Sequence, residues 1–147
     1  MTEITLPEEI MMESVTTMLS EGREVSFIPK GVSMRPFIEG GRDKVIMKKT
    51  DCVNVGDIVL ARLENGRYIL HRVISKSEDF VTLMGDGNLC GTETALTCNV
   101  LATVIGIVKP NGRHVKPKKG RLWFRLLPLR RYLLWIYGKV LILHHEN

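Results

Sequence analysis

Apolar residues recur at helical spacing near the start of the chain and at strand spacing afterwards. Ile10, Met11, Val15 and Met18 fall about one helical turn apart, which predicts a helix over residues 7–20. Pro7 suits the first helical position, Glu8 and Glu9 favour the positive end of the helix dipole, and Gly22 can end the helix. From Val25 to Val108 the pattern changes to short β-branched runs separated by Gly, Asn and Asp. Val25–Ile28, Val45–Met47, Ile58–Leu63, Tyr68–Ile74, Phe80–Met84 and Val100–Val108 read as strands. Glu64-Asn65-Gly66-Arg67 joins two of them with Asn-Gly, the strongest short hairpin signal, and Gly85-Asp86-Gly87-Asn88 reads as a tight loop. Residues 110–120 read as a basic linker. Residues 121–143 are apolar and aromatic, interleaved with Arg121, Arg125, Arg130, Arg131 and Lys139 and interrupted by Pro128. Those cations leave no uncharged stretch of the roughly 20 residues that a spanning helix needs.

These segments define three parts: an N-terminal helix packed on the core (1–23), a β core (24–109), and a basic linker followed by an amphipathic segment (110–147). With 147 residues, 44% of them hydrophobic and 25% charged, the chain can bury one real core and is not expected to be dominated by disorder. The net charge of +5 is unevenly spread. Residues 1–108 hold 11 Lys/Arg against 15 Asp/Glu (net −4), whereas residues 109–147 hold 10 against 1 (net +9). A mildly acidic body thus carries a strongly basic end, which points to an anionic partner for that end. Residues 117–143 combine arginine with tryptophan and leucine, as in a helix lying at an anionic membrane surface; a C-terminal helix covering the sheet has the same pattern. No nucleic-acid-binding module is recognisable, so nucleic acid is not an expected partner. Cys52, Cys90 and Cys98 are odd in number and form no Cys-x-x-Cys pair, which argues against a disulfide framework or a zinc site. No cofactor and no metal are expected. The first residues have no charged-then-apolar leader pattern, so the expected location is cytoplasmic, peripheral at the inner membrane face.

Three polar positions carry candidate chemistry. Ser33 lies in Gly31-Val32-Ser33-Met34-Arg35-Pro36, a Gly- and Pro-bounded turn after a strand. Such a turn can expose a hydroxyl and aim backbone N–H groups at a reacting carbonyl, although a serine there is also an ordinary turn residue. His71 shares a strand face with Ile69 and Val73 by alternation. It is a structural residue or, as a partly desolvated imidazole, a general base for a serine. Asp86 between two glycines is a turn residue or the group that orients such a histidine.

Taken in order, these segments resemble the superfamily of signal peptidases and LexA-type self-cleaving repressors. Ser33-Met34-Arg35-Pro36 matches its Ser-Met-x-Pro nucleophile motif, and Val55-Gly56-Asp57-Ile58-Val59 its Gly-Asp-hydrophobic strand start. Ile69-Leu70-His71-Arg72-Val73 matches the segment carrying the base, and Gly85-Asp86-Gly87-Asn88 the Gly-Asp-x-Asn box. Histidine rather than lysine at the base position is similar to the histidine-type signal peptidases. The resemblance covers residues 25–108. It implies a mainly β fold with a core of coiled antiparallel sheets, to which the residue pattern adds an N-terminal helix and a C-terminal basic helical segment. It also implies acyl transfer with Ser33 as nucleophile, His71 as base and Asp86 as the third member, the Ser33 N–H as one oxyanion donor, and a peptide or protein substrate. Histidine-type members carry a second aspartate shortly after the box; here Glu93 is the acidic residue in Leu89–Glu93. Two other readings keep the same segments: a non-catalytic binding or dimerisation module of this fold, and a membrane-surface adaptor acting through the basic end.

Overall fold

The computed structural model describes residues 8–145, so Pro7 lies outside the described residues. Helix α1 spans Glu8–Ser20 and buries Met12, Val15 and Leu19, with Met11 and Met18 half-buried beside them. The buried stripe is therefore centred one position away from the one the sequence spacing picks out.

Eight strands follow, β1 (Val25–Phe27), β2 (Lys44–Lys48), β3 (Ile58–Arg62), β4 (Tyr68–Lys76), β5 (Phe80–Met84), β6 (Glu93–Leu96), β7 (Val100–Val108) and β8 (His114–Val115). They form one antiparallel sheet in the order β1-β2-β7-β3-β4-β5-β6, with β8 also paired to β7. The fold is thus mainly an antiparallel sheet with a helix at each end of the chain. β3 lies inside it. Ile58 and Leu60 point into a cluster shared with α1, Val45, Met47 and Val104; Val59 and Ala61 point the other way, into a second cluster with Ile69, Val73, Val81 and Leu83. Burial of each large apolar side chain contributes about 1.5–3 kcal/mol, so a strand buried on both faces is a strong clamp on register. Bulges between Ile46 and Met47, Leu60 and Ala61, and Val73 and Ser75 increase the twist of the strands that carry them.

Two short strands depart from the sequence-based expectation. β6 carries Ala95 as its one buried residue, too weak an apolar pattern to read as a strand. β8 interrupts the expected linker. It returns against β7 through Asn111-Gly112, where Lys109 N–H bonds Arg113 O (2.9 Å), Gly112 N–H bonds Lys109 O (2.8 Å) and Arg113 N–H bonds Asn111 Oδ1 (3.0 Å). The β3–β4 turn repeats that set at Leu63, Gly66 and Arg67, with Asn65 as the side-chain acceptor.

Beyond β8, α2 (Arg121–Arg125), a 3-10 turn (Leu127–Leu129) and α3 (Arg130–His145) complete the chain. Pro128 lies in the first turn of the 3-10 segment that separates the two helices. Among the described residues, no helix is long and apolar enough to cross a membrane.

Candidate active site

The loop from Pro29 to Gly41 carries Ser33 between β1 and β2. Its base is closed by Gly41 N–H to Pro29 O (2.7 Å), and Met34 and Ile38 sink into the α1 cluster. Arg35 grips Glu39 in a forked pair (Nε to Oε2 2.8 Å, Nη2 to Oε1 2.7 Å), which raises the Arg35 pKa. Glu39 N–H in turn donates to Asp43, whose carboxylate also receives Lys109 Nζ at 2.7 Å. The serine thus sits on a loop pinned from both sides. Arg35, Phe37 and Ile38 donate their N–H groups within it, whereas the N–H groups of Ser33 and Met34 make no hydrogen bond among the described residues.

His71 comes from β4, opposite Val59 of β3. Its Nδ1 lies 3.0 Å from Glu93 Oε2 on β6, and the imidazole is buried. A carboxylate beside Nδ1 favours the tautomer in which Nδ1–H donates to it, which leaves Nε2 as the basic nitrogen. Ser33, His71, Asn88 and Glu93 line one cavity of about 330 Å³, with Tyr68, Leu70 and Ile38 among its walls and exposed Lys30 and Arg67 also lining it. Ser33 Oγ and His71 share this space without a direct hydrogen bond.

The structure gives Asp86 a partner other than the one expected. Both of its oxygens face Arg72, not His71: Nε to Oδ1 is 2.8 Å and Nη2 to Oδ2 is 2.7 Å, with both side chains buried. The acid within hydrogen-bond distance of the imidazole is Glu93, whereas Asp86 makes no bond to it. Adjacent residues of a strand face opposite ways, so Arg72 and His71 reach different acids. Arg72 also donates to the carbonyls of Gly56 and Lys118 and lies 5.1 Å over the Phe37 ring, joining the Gly85–Asn88 loop to the serine loop and to the C-terminal segment.

The box itself braces the serine loop. Gly87 N–H donates to Ser33 O at 2.7 Å. A Cβ on Gly85 would stand 2.5 Å from Ser33 O, and one on Gly87 would collide with Val32 O, so glycine is required at both places by close backbone approach. From the other side, Trp123 Nε1 donates to Asp86 O (2.7 Å) and buried Arg130 to Asn88 O (3.0 Å). Burial lowers the Arg130 pKa. Tyr137 Oη lies 3.1 Å from Glu39 Oε2; burial, then Glu39, pushes its phenol up to about 12.

Composition and strand pattern carried no signal for Trp123, Arg130 or Tyr137 as supports of this site. Among the described residues, no group of three or more His, Cys, Asp or Glu is placed to hold a metal ion, and the three cysteines are free and exposed. No family model and no curated protein matches the chain, so a role for the cavity rests on its geometry.

Proposed function

We propose that the protein is a serine peptidase of the signal-peptidase/LexA type, acting on an extended peptide or a leader segment. The observation that carries this reading is the meeting of Ser33 and a Glu93-bound His71 at one cavity. Ser33 Oγ attacks the peptide carbonyl as His71 Nε2 accepts its proton. The N–H groups of Ser33 and Met34 take the charge that develops on the carbonyl oxygen. Glu93 holds the imidazole tautomer and stabilises the imidazolium. The same proton then passes to the leaving amine, and water enters by the reverse path to release the acyl group. Asp86 and Arg72 act as framework, holding the box against the serine loop. The coiled-sheet core of that superfamily fits the bulged, wholly antiparallel sheet.

The missing Ser33–His71 hydrogen bond favours a second reading, a non-catalytic binding module of the same fold. Catalytic hydrogen bonds are often looser without substrate, so activity decides between them. The test is digestion of a mixed library of extended peptides, with new termini read by mass spectrometry. Wild-type protein should generate a consistent set of cuts that Ser33→Ala and His71→Ala each abolish. Equal cutting by Ser33→Ala would overturn the proposal.

A further inference from the structure

The C-terminal segment is fastened to the body by one side only. Leu133, Leu134, Tyr137 and Leu141 of α3 are half-buried, and Arg130 is buried. The opposite face is apolar and open: Tyr132, Trp135, Ile136, Val140 and Leu143 form a stripe at helical spacing, with Trp135 65% exposed. Among the described residues, nine of the fifteen exposed large apolar side chains fall between Leu122 and Leu143. Single exposed apolar residues are ordinary, but such concentration in one short segment marks an interaction surface.

Charge identifies the occupant. Exposed Lys116, Lys118, Lys119, Arg121, Arg125, Arg131 and Lys139 accompany this surface, and no acidic residue occurs between Glu93 and Glu146. Lys139 Nζ lies 5.5 Å over the Trp135 ring, the pairing of a snorkelling cation with an interfacial aromatic. A second copy would present the same cations to themselves, a repulsive match. Between α3 and the serine loop lies a cleft of about 500 Å³ lined by Arg42 and Lys139, by the paired Arg35 and Glu39, and by Leu134, Leu141 and Ile142. The 16 residues of α3 cover about 24 Å at 1.5 Å each and include Arg131 and Lys139, which suits lying in an interface rather than spanning it.

From these observations we infer that α2 and α3 seat the protein on the surface of an anionic phospholipid bilayer, with Trp135, Ile136 and their stripe in the acyl boundary and the cations at the phosphates. The hydrogen bonds from Trp123 to Asp86 O and from Arg130 to Asn88 O then hold the bilayer in a fixed relation to the serine loop. This surface is independent of the chemistry at Ser33.

Co-sedimentation of the full chain with vesicles of phosphatidylcholine alone, and of phosphatidylcholine mixed equally with phosphatidylglycerol, tests the inference. Binding should occur on the anionic vesicles, weaken with salt, and be near background on the neutral ones. Replacing Arg131 and Lys139 by glutamine should weaken the partition about thirtyfold, from about fivefold per basic residue. Replacing Trp135 and Ile136 by serine should abolish it; both side chains are open to solvent, and an unchanged melting curve shows that the fold survives. Ser33→Ala should bind like the wild type, which separates a failure of this inference from a failure of the peptidase reading. No binding to anionic vesicles, equal binding to both vesicles, or loss of a dimer rather than of vesicle binding in the serine variant would each overturn it.

Discussion

The buried Arg72–Asp86 pair makes a quantitative demand. Asp86→Ala leaves the Arg72 guanidinium in a site where its side chain is 4% exposed, with two of its donors stripped of a carboxylate. The carbonyls of Gly56 and Lys118 still accept from Nη1, but neither carries charge. Breaking such a pair on one side costs about 3–5 kcal/mol. For a chain of this size each kcal/mol moves the melting temperature by about 2–4 °C, so the variant should melt about 6–20 °C lower. The double variant Arg72→Met, Asp86→Ala removes both charges. Its main penalty is the Gly56 carbonyl left without a donor, about 1–3 kcal/mol, so it should be more stable than Asp86→Ala alone. Thermal and urea unfolding followed by circular dichroism read both numbers. A single variant within about 1 kcal/mol of wild type, or a double variant less stable than the single, would refute the reasoning.

Other consequences follow from the same contacts. Glu93→Gln can still accept from His71 Nδ1 but carries no charge, so kcat/KM on a cleaved peptide should fall about a hundredfold while stability changes by less than about 1 kcal/mol; unchanged kcat/KM would remove Glu93 from the site. Gly87→Ala should drive the box away from Val32 O and lower turnover with a loss of about 1–3 kcal/mol in unfolding experiments. Tyr137 has a raised folded-state pKa, so it contributes its full stability below the unfolded value of about 10 and loses that contribution as pH rises toward about 12. The near-ultraviolet phenolate titration should therefore contain a component at about 12 that Tyr137→Phe removes.

Much of the sheet was legible because β-branched runs and one Asn-Gly turn act locally. Tyr68–Ile74 and Phe80–Met84 are close to the strands observed, since each carries its own buried face. β6 was not legible, because only its place at the sheet edge makes Glu93–Leu96 extended. β8 was missed although Asn111-Gly112 carries the same hairpin signal as Asn65-Gly66; the surrounding lysines and prolines masked it. Ser33 and His71 were placed by motif order, and both line the cavity. The acid on His71 was not, because choosing between Asp86 and Glu93 depends on which of two adjacent strand residues faces which acid. Arg72 takes Asp86, a pairing that no spacing rule reveals. The supports from Trp123, Arg130 and Tyr137 depend on contacts 37 to 98 residues apart in sequence, beyond the reach of any local pattern.

The proposed chemistry passes through an ester on one oxygen atom, and that ester can be weighed. Wild-type protein mixed with a peptide it cuts, quenched in acid during turnover and mapped by mass spectrometry, should carry an acyl adduct on Ser33, with none in Ser33→Ala. Turnover without any adduct on Ser33, or an adduct that persists elsewhere in active Ser33→Ala protein, would contradict Ser33 as the nucleophile.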